Sequence, residues 1–148
     1  MLLTVNDFRI KGENFDLTNG MNILRIISGA FMFPHVAGKF TAGALTPGTV
    51  AFFGKAGMTP PEVWVYIAVA AELLSGIFLV LGLCTRYAAL GAAGVMAVAV
   101  YALQVVKGFG WTQNTGGYEF PVFWGIDALV VALEEWKRYL FEEGSGGN

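Results

Sequence analysis

Four blocks of nearly uninterrupted apolar residues, at 21–37, 63–83, 87–106 and 120–133, constrain this chain more than any motif in it. The apolar residues form solid runs, not the spaced stripe of a soluble helix or the alternation of a half-buried strand. A helix built from such a run is apolar on every face and needs an apolar surround on every face. Crossing a bilayer takes roughly 17–25 helical residues. The second and third blocks suffice as they stand and the first just reaches the minimum. The fourth reaches it when extended through Glu134 and Glu135 to Trp136 and Tyr139, aromatic residues of the kind that anchor at headgroup level. Only 14% of the residues are charged, whereas soluble domains carry about a quarter. The reading is an all-α integral membrane protein, a four-helix transmembrane bundle, with spans at about 21–38, 62–83, 87–106 and 119–139.

This divides the chain into an N-terminal surface arm at 1–20, a four-helix transmembrane domain at 21–140 and a flexible tail at 141–148. Thr59-Pro60-Pro61-Glu62 has the form of a capping box with proline at the first helical position, and Tyr118-Glu119-Phe120-Pro121 is a weaker start signal for the fourth span. Gly82 with Cys84-Thr85-Arg86 predicts a tight turn between the second and third spans. Thr46-Pro47 predicts a short interfacial helix over residues 48–55. With four spans, Arg9, Lys11, Arg86, Lys137 and Arg138 share one side, and Lys39, Lys55 and Lys107 the other. That excess favours a multi-pass protein with both termini in the cytoplasm.

Several chemistries are excluded or disfavoured. One cysteine, Cys84, allows neither an internal disulfide nor a thiol redox pair, and no metal-ligand cluster is present. A single histidine cannot supply two axial haem ligands, no glycine fingerprint suggests a nucleotide, and no basic patch suggests nucleic acid. The expected surround is the lipid bilayer.

Ionisable residues within or beside the spans are the functional candidates, because hydrocarbon cannot solvate them. They are Arg25, His35, Lys39, Glu72, Glu119 and Asp127. At about 100° per residue, Arg25, Ser28, Met32, His35 and Lys39 fall in one stripe of the first span, which must face protein or water. Glu72 is flanked on its own face by Ala68, Ser75 and Gly76, small residues that admit another helix closely. Two expectations follow. Arg25 and Glu72 form a structural ion pair between the first two spans. His35 and Lys39 share an outward-opening pocket with Glu119 and Glu72, bounded by Gly117 and Tyr118, in which His35 and Glu119 exchange protons. His35 as a merely structural hydrogen bonder stays open beside this.

The segment ILRIISGAFMFPHVAGK with Arg25, His35 and Lys39, AELLSGIFLVLGLCTR around Glu72, and GGYEFP at 116–121, in that order, resemble the DoxX family of small bacterial and archaeal four-helix membrane proteins. Pro34 stands before His35 where that family usually has tyrosine or glycine, and no glycine follows it. The resemblance implies an inner-membrane subunit linked to quinone metabolism, acting with another redox subunit or as an oligomer, with quinone as the cofactor class. It leaves open whether the chain itself catalyses. A quinone-linked oxidoreductase subunit, a non-catalytic accessory or assembly subunit, and a dimeric proton-coupled transporter using Glu72 all fit.

Overall fold

The Asn19 side chain accepts a hydrogen bond from the Met21 amide at 3.0 Å and so starts the first helix, α1 (Gly20–Ala30). The computed structural model describes residues 3–112 and 116–145. A second, six-residue helix, α2 (Met32–Ala37), follows α1 after Phe31. Pro34 accounts for the division: it has no N–H to donate, and its ring excludes a regular turn at the carbonyl four residues back, that of Ala30. The single first span expected at 21–38 is therefore two helices.

A small antiparallel hairpin comes next, β1 (Phe40–Thr41) and β2 (Ala44–Leu45), pairing Phe40 with Leu45 and Thr41 with Ala44. Its two turn residues, Ala42 and Gly43, both have positive φ, as a tight two-residue connection requires. The remaining helices are α3 (Pro47–Lys55), α4 (Pro61–Leu81), α5 (Thr85–Lys107) and α6 (Glu119–Ser145). Helix α4 begins at Pro61 as expected, but the Thr59 capping box does not form: Pro60 holds the cap position, and no side chain bonds there. At its other end Gly82 takes the left-handed conformation (φ 71°), and the Leu83 amide donates to the Phe78 carbonyl at 2.8 Å, closing the helix. Helix α6 runs on to Ser145, through the start of the segment read as a tail; residues 146–148 lie outside the described residues.

Among the described residues, two helices, α4 and α5, are long and apolar enough to cross a membrane. The first expected span falls short because it is broken at Phe31. The second half of the fourth carries Glu134, Glu135, Lys137 and Arg138.

Helices α5 and α6 pack along their length. Ala88, Ala89 and Ala92 face Ala128, Val131 and Ala132, and Met96 and Trp124 continue the core. Helix α1 approaches α4 still more closely. A β-carbon on Gly29 would stand 2.7 Å from the Leu79 β-carbon and 2.8 Å from the Gly76 carbonyl oxygen. This contact fixes the height of α1 against α4: residue 29 lies level with 76–80.

The N-terminal arm does more than lie on a surface. Two 3-10 turns, Val5–Phe8 and Gly12–Phe15, fold back onto the α4–α5 turn. There the Cys84 amide donates to the Asp7 carbonyl at 2.7 Å, and the Asn14 side-chain amide donates to the Gly82 carbonyl at 3.4 Å.

Candidate functional site

Lys39 sits just past the end of α2, and its backbone is held from both sides. Its amide donates to the Val36 carbonyl at 3.1 Å, and its carbonyl accepts from the Thr46 amide at 2.9 Å. So anchored, its ammonium reaches across to α4 and donates to both oxygens of Glu72, at 2.8 and 2.6 Å, and to the His35 carbonyl at 3.2 Å. The pair is withdrawn from the surface, with side-chain exposures of 13% for Lys39 and 7% for Glu72. All three ammonium hydrogens have acceptors. The carboxylate is an acceptor only and keeps lone pairs for a donor arriving from outside.

That pair forms part of the wall of a cavity of about 530 Å³. The rest of the wall is mainly apolar: Phe52 and Phe53 of α3, Trp64 and Ile67 of α4, and Val98 and Ala99 of α5. Small residues provide the depth, Ala68 and Ala71 on one side and Gly94 and Ala102 on the other. His35 lines the cavity too, its ring centre 5.2 Å from that of Trp124. Trp124 is itself fixed, its indole N–H donating to the Ser28 carbonyl at 3.2 Å. The Ser28 hydroxyl donates to the Asp127 carboxylate, so α1 and α6 are tied twice at this level. Asp127 thus bridges two helices.

The expected Arg25–Glu72 ion pair does not form. Arg25 is buried, and its guanidinium donates to the carbonyls of Asn14, Leu79 and Val80. With α1 set against α4 by Gly29, the Arg25 guanidinium reaches the Leu79 carbonyl, seven residues and roughly 11 Å along the axis from Glu72. It ties the arm to the end of α4.

Glu119 stands outside the cavity wall that holds His35. It opens α6, and its amide donates to the Trp111 carbonyl at 3.0 Å. Gly117 does line the cavity, and its amide donates to the Thr112 carbonyl at 2.9 Å; a side chain there would collide with the backbone of Gly110 and Trp111. Tyr118 is buried between Phe109 and Trp111, with ring centres at 5.9 and 6.2 Å, and does not line the cavity. Of the expected pocket, His35, Lys39, Glu72 and Gly117 come together.

Sequence reasoning missed the role of Arg86. It is buried, donates to both oxygens of Asp7 at 3.0 Å, and lies over the Tyr139 ring, 3.7 Å from its centre. Its signal was an arginine in the first turn of an apolar helix, a place that demands a partner. Burial works against the Asp7 charge, but hydrogen bonds from the Thr4 amide and hydroxyl and from Arg86 outweigh it and hold the carboxyl below its ordinary range. Burial pushes the neighbouring Cys84 thiol up, and the Asp7 charge adds to the effect. Among the described residues, no three His, Cys, Asp or Glu side chains converge on one point.

The profile of the family described as DoxX matches residues 20–105, more than half of the chain. No curated protein and no solved structure matches it.

Proposed function

This chain belongs to the DoxX family of membrane proteins, and on that premise we propose that it is a multi-pass inner-membrane subunit serving quinone-linked redox metabolism. A lipid-soluble quinone or quinol is the occupant of the cavity. The observation that carries this reading is the Lys39–Glu72 pair in the wall of an otherwise largely apolar, aromatic cavity of about 530 Å³. Such a site suits a ligand with a large apolar body and one or two polar atoms. The Glu72 carboxylate accepts a hydrogen bond from a quinol hydroxyl, and His35 exchanges its proton with the outside. Quinol oxidation releases two protons and two electrons; the electrons go to a redox partner subunit.

In this reading α1 and α2 together make one crossing, α4, α5 and α6 the other three, and the termini lie in the cytoplasm. Glu119 loses the role of proton exchanger, because it does not line the cavity. A non-catalytic accessory role is the second reading. It is favoured by the full engagement of the Lys39 ammonium with acceptors of the protein itself. The transporter reading has less support, since Arg25 and the latched arm occupy the end of the bundle away from the cavity.

The test is a titration of the protein in lipid nanodiscs with decylubiquinone, read by quenching of tryptophan fluorescence, since Trp64 and Trp124 line the cavity. Saturable quenching is expected, at least tenfold weaker in Ala99→Phe, which fills the cavity without touching the ion pair. Quenching that rises linearly and equally in both proteins would overturn the proposal.

A further inference from the structure

The N-terminal arm turns Asp7 and Asn14 inward and leaves most of its large apolar side chains outside. Asp7 reaches Arg86, and the buried Asn14 reaches Gly82 and gives its carbonyl to Arg25. Asn22 of α1 holds the arm from below, its side-chain amide donating to the carbonyls of Glu13 at 2.8 Å and Asp16 at 3.0 Å. Val5, Phe8, Ile10 and Leu17 are left outside, exposed by 80, 60, 59 and 62%, beside the exposed Asn6, Arg9, Glu13 and Asp16. Single exposed apolar residues are ordinary, but four large ones more than half exposed in one short segment, standing among charged ones, suit the boundary between water and lipid.

The place of the arm on the bundle supports this. Leu3 and Phe8 of the arm share a groove of about 350 Å³ with Leu74 and Phe78 of α4 and Tyr87 of α5. Leu74, 57% exposed, belongs to one of the two helices fit to cross the membrane, so that surface faces lipid. Leu3 and Phe8 of the arm are continuous with it. Exposed charges of both signs stand among these side chains: Arg9 between Phe8 and Ile10, Glu13 and Asp16 before Leu17, and Lys137 and Arg138 paired with Glu134 and Glu135 at the same end of the bundle. Apolar side chains interleaved with charged ones are the composition of a segment lying in the headgroup region of a leaflet.

We propose that residues 3–17 are a lipid-interface anchor, in which Val5, Phe8, Ile10 and Leu17 enter the leaflet at the arm's end of the bundle and acyl chains fill the groove between Phe8 and Leu74. The Asp7–Arg86 pair holds the arm in the orientation that presents this face. The bilayer is thus gripped by the end of the bundle as well as by its sides.

Spin labelling tests this on the full chain in liposomes of phosphatidylcholine and phosphatidylglycerol. Labels go on Val5→Cys and Ile10→Cys. The native Cys84 is buried, so the unsubstituted protein serves as the labelling control. Collision with oxygen well above collision with a water-soluble nickel chelate at both positions is the expected result. Nickel collision in excess places the arm in water and overturns the proposal. Suppression of both collisions means that protein, a second copy of this chain included, covers the face, and this overturns it equally. Leu17→Cys supplies the same reading if either variant fails to insert.

Discussion

The Lys39 ammonium lies 2.6 Å from a carboxylate oxygen of Glu72, joining the turn after α2 to the middle of α4 inside the wall of an apolar cavity. Removing one member leaves the other as an uncompensated charge, which costs about 3–5 kcal/mol for a buried pair. Lys39→Met and Glu72→Leu should each destabilise by an amount of that order, and the double variant should recover most of it. Chemical unfolding in detergent measures all four proteins. A double variant no better than the worse single one would mean that the two charges do not depend on each other.

His35 lines the same cavity against the Trp124 ring. His35→Gln keeps polarity and approximate size but cannot titrate. Folding should be nearly unchanged, while quinone-dependent electron transfer by the assembled complex falls at least tenfold, since a positioned acid–base group contributes typically about 10²- to 10⁴-fold. Full activity in a well-folded variant would remove His35 as a proton exchanger and favour the accessory reading.

Gly29 is where α1 and α4 touch, with space for no β-carbon against Leu79 and Gly76. Gly29→Ala should force the two helices apart and destabilise by about 1–3 kcal/mol, the usual cost of overpacking. Gly94, where a β-carbon meets nothing within 4 Å, is the control: Gly94→Ala should be neutral or slightly stabilising. Thermal unfolding compares them, and equal midpoints would refute the close contact.

The latch between Asp7 and Arg86 carries a pH signature. Asp7 is held below its ordinary range, so its contribution is fully present above the unfolded value of about 3.9 and is lost as pH falls through the lower folded value. The stability advantage of the native chain over Asp7→Asn should therefore be constant above about pH 5 and shrink steadily below about pH 4. Unfolding midpoints of both proteins across that range give the answer. An advantage independent of pH would show that the Asp7 charge does not hold the arm.

Much of the helical pattern was determined by the sequence alone, because local chemistry suffices for it. Solid apolar runs specify α4 and α5, Pro61 opens α4, Gly82 closes it, and Pro47 opens α3. The stripe of Arg25, Ser28, His35 and Lys39 was likewise legible, and each of its members meets protein or the cavity. Periodicity gives the face of a helix but says nothing of the height at which that face meets its neighbour. Height was decided by the tertiary contact of Gly29 with Gly76 and Leu79, which puts Arg25 beside Leu79 and gives Glu72 to Lys39. The arm was illegible for a related reason. Its polar residues are too short-range a pattern to reveal a partner such as Arg86, 79 positions from Asp7, which only the folded turn between α4 and α5 brings into reach.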